Sequence, residues 1–113
     1  EQLRVVREGM TAVVNDRHGS GVKGGEGVVD ANANKVVVAG KTGTAEVGVG
    51  ERRRKNTWFI AYAPAEDPEV AVALVIESGE SGGSTAAPKA ANVLAEVFRD
   101  RRLKPERDGG ERK

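Results

Sequence analysis

Two segments, one near each end of the chain, carry apolar residues at helical spacing. In the first, the apolar positions are three or four residues apart: Leu3, Val6, Met10, Val13 and Val14. This spacing predicts an amphipathic helix that ends near Asn15. In the second, the apolar stripe consists of Ala87, Ala91, Leu94, Val97 and Phe98. We expect this helix to begin near Ser84 or Thr85, either of which can cap it, with Pro88 in its first turn.

Three strand-like segments lie between the two predicted helices, at residues 35–49, 57–63 and 70–76. The last two alternate in side-chain direction and are apolar on both faces, which is typical of a sheet covered on both sides. The connections at residues 48–56 and 64–69 are too short for a parallel crossover. The sequence therefore predicts an α+β fold: helix, three-stranded antiparallel meander, helix, with the two helices packed together on one face of the sheet.

The composition excludes several classes of function. At 113 residues the chain has room for one domain at most. It contains no cysteine, which excludes disulfides, thiolate metal sites and a cysteine nucleophile. A formal net charge of +1 argues against a dedicated nucleic-acid-binding protein. No apolar run approaches the roughly 20 residues that span a bilayer.

The predicted domain occupies residues 1–98, which contain all the predicted elements. Residues 99–113 are mostly charged and are predicted to be a flexible tail. Residues 19–27 are rich in glycine without an apolar period, so we expect a flexible loop or an excursion of the chain there. Because the chain begins at Glu1 rather than at a methionine, we interpret it as a piece of a longer protein.

Two glycine patterns match nucleotide-binding motifs but lack their structural setting. Residues 19–24 fit Gly-x-Gly-x-x-Gly, which needs a strand before it and a helix after it; here a helix precedes it and more glycine follows. Gly40-Lys41-Thr42 fits the end of a phosphate-binding loop, but Lys35 occupies the position of the required glycine and a strand follows. We therefore expect no nucleotide cofactor at either pattern.

The segment Lys41-Thr42-Gly43-Thr44 is unusual for a strand, because an amine and two hydroxyls alternate along it. Residues two apart on a strand share a face, so Thr42 and Thr44 project together, whereas Lys41 and Gly43 share the opposite face in an ideal pleat. The two hydroxyls can hold a carboxylate, and the backbone N–H of Thr44 can donate to an oxyanion if the strand lies at an edge. An exposed strand with polar decoration is the alternative interpretation.

The surrounding segments, at residues 38–47, 58–64, 70–77 and 82–88, carry a longer pattern. They read Val-Ala-Gly-Lys-Thr-Gly-Thr-Ala-Glu-Val, Trp-Phe-Ile-Ala-Tyr-Ala-Pro, Val-Ala-Val-Ala-Leu-Val-Ile-Glu and Gly-Gly-Ser-Thr-Ala-Ala-Pro. Together with residues 3–10, they resemble the C-terminal part of a penicillin-binding protein transpeptidase domain, and most of all class B enzymes of the elongation type. The resemblance implies the β-lactamase/transpeptidase-like fold, in which the Lys-Thr-Gly strand lies at an edge of a five-stranded sheet.

The resemblance also implies a role for each residue of that strand. Lys41 supports the proton network around a serine nucleophile, and the hydroxyls of Thr42 and Thr44 hold the carboxylate of the stem peptide or of a β-lactam. The N–H of Thr44 is half of the oxyanion hole, and Gly43 keeps the strand open to the acyl chain. The implied activity of the parent protein is serine-type D,D-transpeptidation during cell-wall elongation, with no metal and no organic cofactor.

The nucleophile of this family is not evident in the chain. Ser20-Gly21-Val22-Lys23 matches the letters Ser-x-x-Lys, but its glycines disfavour the helix that the motif requires, so we interpret the match as a coincidence. No convincing Ser-x-Asn element is present. We therefore expect the isolated chain to be inactive and to form no covalent adduct with fluorescent penicillin.

The partners that the resemblance implies are peptidoglycan stem peptides, β-lactams and the missing N-terminal part of the same protein, without nucleic acid. The implied location is the extracytoplasmic face of the bacterial cell membrane, where an N-terminal helix anchors the parent. The strand at residues 70–76 contains no Pro or Lys, so we expect its free edge to pair with the missing part or with a second copy. Two alternatives stay open: a β-lactamase or β-lactam sensor domain, and a non-catalytic scaffold with the same fold.

Two further features are expected to be ordinary surface. His18 has no acidic or histidine partner at metal-ligand spacing, and a solvated side chain is the simpler interpretation. The basic run at residues 52–55 is predicted to be a solvated hairpin tip, with contact to anionic glycans or lipid headgroups as the alternative.

Overall fold

The computed structural model describes residues 1–78 and 81–102. Its elements follow the chain in this order: helix α1 (Gln2–Asn15), a 3₁₀ turn (Val22–Gly25), strand β1 (Ala39–Val47), a second 3₁₀ turn (Gly50–Arg52), strand β2 (Arg54–Ala63), strand β3 (Val70–Ile76), a π-helical turn (Gly82–Ala86) and helix α2 (Ala87–Arg99). We call Val22–Gly25 the glycine turn and Gly82–Ala86 the π turn. The order of one helix, three strands and a second helix confirms the predicted fold.

The three strands form one antiparallel sheet in the order β1-β2-β3, as the short connections predict. β1 pairs with β2 along its whole length in a continuous register, from Ala39 opposite Tyr62 to Val47 opposite Arg54. β2 pairs in the same way with the whole of β3. Within the described residues, β2 is therefore the central strand, and β1 and β3 are the two edges.

One face of the sheet is packed and the other is open. On the packed face, the side chain of Phe59 is fully buried and joins Leu94 and Phe98 of α2 in the core. On the open face, Trp58 is 45% exposed and Ile60 is 46% exposed. The sequence predicts a sheet covered on both sides, whereas residues 1–78 and 81–102 cover only the face toward the helices.

The glycine-rich segment contains a 3₁₀ turn that packs against the core. Gly24 and Gly40 lie against the ring of Phe59, and a Cβ on Gly40 would be 2.6 Å from the ring carbon Cζ. A large aromatic ring fills the space that side chains would otherwise occupy, which explains why glycine is found at both positions. The glycine turn contacts α1 and α2, and the helices meet mainly through it rather than by packing directly together. The expectation that the two helices pack directly together is therefore wrong, because the glycine turn lies between them.

β1 begins at Ala39 rather than at residue 35. The preceding valines Val36 and Val38 are buried in the core but lie outside the strand. The segment is held instead by the N–H of Val36, which donates to the carbonyl of Val28 at 3.0 Å. The apolar residues before β1 therefore belong to the core, as their composition indicates, but they do not pair with another strand of the sheet.

The second helical segment is capped further upstream than predicted. The hydroxyl of Ser81, and not that of Ser84 or Thr85, accepts a hydrogen bond from the free N–H of the first turn, that of Ser84, at 3.0 Å. The π turn adds helical residues before α2 and so moves the cap. Pro88 lies in the first turn of α2, as predicted.

At the C-terminus, α2 ends at Arg99 and the next residues remain bound to the fold. The N–H of Ala31 donates to the carbonyl of Arg101 at 2.7 Å. Most of the predicted flexible tail, residues 103–113, lies outside the described residues, so that prediction stays a prediction. In the part of the chain that the structure describes, no helix is both long and apolar enough to cross a membrane.

Candidate functional site

Residues 41–44 lie in the middle of β1, on an edge of the described sheet. Thr42 is opposite Phe59 and Thr44 is opposite Thr57, and both of these β2 residues are fully buried on the packed face. Because side chains alternate along a strand, Thr42 and Thr44 share that face. We call Thr42 and Thr44 the threonine pair. Their common orientation agrees with the pattern in the sequence.

Lys41 and Gly43 lie on the open face, opposite Ile60 and Trp58. The continuous register provides no bulge that would turn Lys41 toward the threonine pair. The Lys41 ammonium is exposed and donates to the backbone carbonyl of Thr42 at 2.7 Å. The four residues therefore divide into an amine on the open face and two hydroxyls on the packed face.

The hydroxyl of Thr42 is in contact with a residue far away in sequence. Its Oγ1 lies 2.9 Å from Oγ of Ser20, so that one hydroxyl donates to the other. Thr42 is half-buried and Ser20 is exposed. The segment that follows α1 therefore brings a third hydroxyl to the threonine pair.

The hydroxyl of Thr44 has a different neighbour, the first residue of the π turn. The backbone N–H of Gly82 donates to Oγ1 of Thr44 at 3.3 Å. A Cβ on Gly82 would lie 2.8 Å from the backbone nitrogen of Gly43 and 2.6 Å from the carbonyl oxygen of Trp58. Glycine is therefore needed at position 82, because the start of the C-terminal helical segment touches the edge strand directly.

An open groove of about 290 Å³ lies beside these contacts. Ser20, Lys23, Ser81 and Ser84 line it, together with glycines and Val22. We call it the serine groove. Hydroxyls and one ammonium are groups that bind anions through hydrogen bonds and charge. The threonine pair is joined to the groove through Ser20 and through Gly82, the neighbour of Ser81 and Gly83.

A buried hydroxyl next to the site is unsatisfied. Thr57, opposite Thr44, is fully buried, and its Oγ1 finds no hydrogen-bond partner among the residues that the structure describes. Leaving a buried hydroxyl unpaired costs free energy. Replacing Thr57 therefore tests whether another part of the protein supplies a hydrogen-bond partner to this hydroxyl.

Ser20 is the residue that sequence reasoning dismissed and the structure brings into the site. Its only sequence signal was a hydroxyl between Gly19 and Gly21, together with a chance match to a helical motif. The helix that such a motif needs is absent at Ser20, which precedes the short 3₁₀ glycine turn. Its proximity to Thr42 depends on the packing of the glycine turn against Phe59, which no local pattern reveals.

The remaining candidates lie at the surface, as predicted, but residues 54–55 of the basic run belong to β2 rather than to the hairpin tip. His18 is exposed, and its backbone N–H donates to a carboxylate oxygen of Asp16 at 3.1 Å. Arg53 is exposed and lies 3.8 Å from the carboxylate of Glu46. Among the described residues, no group of three or more histidines or acidic residues is placed to hold a metal ion.

Comparison with known proteins points to one family. Residues 1–95 match the family model described as "Penicillin binding protein transpeptidase domain". The chain is 38% identical over 100 residues to peptidoglycan D,D-transpeptidase MrdA of Haemophilus influenzae, an alignment that covers 78% of this chain and 14% of the relative. It is 44% identical over 71 residues to peptidoglycan D,D-transpeptidase PbpA of Mycolicibacterium smegmatis, covering 58% of this chain and 14% of that relative. The chain therefore spans a small part of the length of these relatives.

A solved structure agrees with these sequence matches. The crystal structure of Pseudomonas aeruginosa PBP2 in complex with WCK 5153 is similar with a TM-score of 0.67 and 36% identity, over 83% of this chain and 18% of that chain. A TM-score of this size over most of the chain confirms the predicted transpeptidase-like fold. Since the family model also matches residues 1–95 of the 113, the chain belongs to the penicillin-binding protein transpeptidase domain family.

Proposed function

We propose that this chain supplies the carboxylate-binding edge strand of a serine-type peptidoglycan D,D-transpeptidase that acts in cell-wall elongation. The observation that carries the proposal is the threonine pair, two hydroxyls on one face of an edge strand beside the serine groove. Family membership supports the same class of reaction. The activity belongs to a longer protein, of which this chain is one part.

In this proposal the threonine pair binds the carboxylate of a D-Ala-D-Ala stem peptide or of a β-lactam. Thr44 accepts a hydrogen bond from the N–H of Gly82, which leaves its own O–H free to donate. A hydrogen bond from a neutral hydroxyl to a carboxylate contributes about 1.5–3 kcal/mol, more than one between neutral groups. Two such donors on one strand fix the position of the carboxylate and therefore of the scissile carbonyl.

The chemical step uses groups from two parts of the protein. A serine oxygen from the remaining part attacks the penultimate D-Ala carbonyl, the C–N bond to the terminal D-Ala breaks, and that D-Ala leaves as an amine after it gains a proton. An amine of a neighbouring stem peptide then takes the acyl group and releases the serine. The backbone N–H of Thr44 is the donor that this chain contributes to the oxyanion, and Gly43 leaves room for the acyl chain. The step requires neither a metal nor an organic cofactor.

Lys41 acts from the open face in this proposal. Its ammonium lies on the side of Trp58 and Ile60, which are half exposed in this chain. We assign that face to the remaining part of the domain, including the serine nucleophile. Lys41 then favours the ionised or proton-sharing form of the groups around the serine, because a positive charge stabilises nearby negative charge.

The free edge of β3 is assigned to the same remaining part of the protein. β3 is unpaired on its outer side among the described residues, and it contains neither Pro nor Lys to block pairing. In the isolated chain, the edge is expected to pair with a second copy. A strictly monomeric chain in light scattering, with fast amide exchange along Val70–Ile76, would contradict this expectation.

The proposed location is the extracytoplasmic face of the bacterial cell membrane. Cross-linking of stem peptides takes place in the wall, and the parent is proposed to be anchored by an N-terminal helix in its remaining part. The absence of cysteine in this chain is compatible with that compartment.

The test uses the whole protein that contains this chain and measures its rate of acylation by fluorescent penicillin. Thr42→Val and Thr44→Val keep the branched shape and remove one donor each, and each is expected to lower the rate roughly 10- to 100-fold. The matched control is Thr11→Val on α1, whose hydroxyl donates to the carbonyl of Arg7. Unchanged acylation in both site variants would refute the proposal.

The same experiment separates the alternative functions. A stable label indicates a transpeptidase, rapid loss of the label by hydrolysis indicates a β-lactamase, and no label on the folded whole protein indicates a scaffold. The isolated chain serves as a second control, because it is expected to form no adduct. A label on the isolated chain that survives denaturation would show a nucleophile within these 113 residues.

A further inference from the structure

Ser20 makes a side-chain contact with the threonine pair that neither its local sequence nor the proposed catalytic roles explain. Its Oγ lies 2.9 Å from Oγ1 of Thr42, across 22 positions of sequence. We propose that Ser20 is a positioning residue, whose hydroxyl donates to Thr42 and thereby aims the Thr42 proton at the carboxylate of the ligand. This inference rests on the proposed function of the threonine pair and adds a residue to it.

The backbone of Ser20 is fixed from three sides. The N–H of Gly19 donates to the carbonyl of Asp16 at 2.8 Å, and the N–H of Gly21 donates to the carbonyl of Val13 at 3.0 Å, near the end of α1. On the other side Gly83 of the π turn packs directly against the carbonyl oxygen of Ser20. An exposed serine held in this way loses little further freedom when its hydroxyl takes up one direction.

The side chain of Thr42 is also held in one orientation. A Cβ at Gly21 would lie 3.4 Å from the Thr42 methyl carbon Cγ2, so the methyl group packs toward Gly21 while the hydroxyl is directed to Ser20. Threonine is stiff at its first side-chain torsion because it branches at Cβ. Only the direction of the Thr42 hydroxyl proton then remains variable. When Oγ1 accepts a hydrogen bond from another group, the Thr42 proton points away from that donor.

Thr42 and Thr44 each have a neighbouring group that can donate a hydrogen bond to their hydroxyl oxygen. Thr44 receives a hydrogen bond from the backbone N–H of Gly82 at 3.3 Å, which leaves its proton for a ligand. Thr42 has the hydroxyl of Ser20 as its neighbour instead. Thr42 keeps its proton for a ligand, as Thr44 does, only when Ser20 is the donor. A chain of two hydroxyls ending on a carboxylate also polarises each bond, which strengthens the last one.

The test compares two ligands in the whole protein. Acylation rates are measured with a penicillin and with its methyl ester, which lacks the negative charge that the threonine pair binds. We expect Ser20→Ala to lower the rate with the penicillin about fivefold, the effect of losing one neutral hydrogen bond. The rate with the ester is expected to change less than twofold.

Three further variants distinguish positioning from a structural role. Ser20→Thr keeps the hydroxyl and is expected to restore most of the penicillin rate, whereas Ser20→Cys, with its weak donor, is expected to stay low. In the background of Thr42→Val, the change Ser20→Ala is expected to have no further effect. Ser78→Ala, an exposed serine after β3, is the matched control and is expected to leave both rates unchanged.

The outcomes separate this inference from the proposed function. If Thr42→Val lowers the penicillin rate but Ser20→Ala does not, the threonine pair stands and the role of Ser20 is refuted. Equal losses with the penicillin and the ester, or additive losses in the double variant, also refute it. If neither Thr42→Val nor Thr44→Val changes the rate, the proposed function itself fails. Thermal unfolding of each variant shows whether a lower acylation rate comes from misfolding.

Discussion

The two faces of the sheet differ in how they are completed. On the packed face, Phe59, Ala61 and Ala63 are buried at or below 5% exposure against α2 and the glycine turn. On the open face, Trp58, Ile60 and their neighbours on β3 stay near half exposed. On β2 and β3, both faces are mostly apolar in sequence. The difference shows that the described residues form a buried support behind the threonine pair and leave the face with Lys41 open.

The largest effect is expected from the centre of the packed face. Phe59→Ala removes a fully buried ring that contacts Gly24 and Gly40, and cavity formation of this kind costs about 3–5 kcal/mol of unfolding free energy. Chemical denaturation of the whole protein measures it. A loss of unfolding free energy below 1 kcal/mol would show that the ring is not essential to the packing of this face.

The open face provides the contrasting measurement. Ile60→Ala is expected to cost about 3 kcal/mol in the whole protein if the remaining part buries this residue, as the proposed function requires. A side chain that stayed 46% exposed, as it is in this chain alone, would contribute far less. A cost near zero, by the same denaturation measurement, would mean that the open face stays open.

Glycine contacts with the packed face give the next effect. Gly40→Ala introduces a Cβ 2.6 Å from the Phe59 ring and 2.9 Å from the carbonyl oxygen of Ile60, and overpacking of this kind costs about 1–3 kcal/mol. Gly9→Ala on α1 is the matched control, because nothing lies within 4 Å of its Cβ. The control is expected to stabilise the helix by about 0.5–1 kcal/mol. Equal effects of the two changes on thermal unfolding would contradict the close packing at Gly40.

The smallest effect is expected at Thr57. Thr57→Val removes a buried hydroxyl with no partner among the described residues, and it is expected to raise the unfolding free energy by about 1 kcal/mol. Chemical denaturation of the whole protein checks the sign. Destabilisation instead would show that the remaining part of the protein supplies a partner to this hydroxyl.

Much of the fold follows from local patterns. Val70–Ile76 is a strand with the predicted bounds, and the end of α1 at Asn15 agrees with its apolar spacing. The common orientation of the threonine pair follows from the two-residue period of a strand. These features depend on neighbours in sequence, so the sequence contains the information directly.

Other features depend on residues distant in sequence, and the patterns mislead there. The glycines at residues 19–27 predict a loop away from the core, yet Gly24 packs against the ring of Phe59, which fills the space where its side chain would be. Ser84 and Thr85 are good caps, yet Ser81 is used because the π turn extends the helical segment. Each error comes from tertiary packing that overrides a local preference.

The sequence by itself determined the order of elements, the antiparallel pairing, and a strand that presents two hydroxyls on one face. It also determined the family, because those residues occur in a pattern long enough to be distinctive. Only the tertiary structure decided that Ser20 meets Thr42, that Gly82 meets Thr44, and that one apolar face is covered while the other is open. Periodicity fixes where a side chain points along its own element, whereas contacts between elements depend on how whole surfaces pack together.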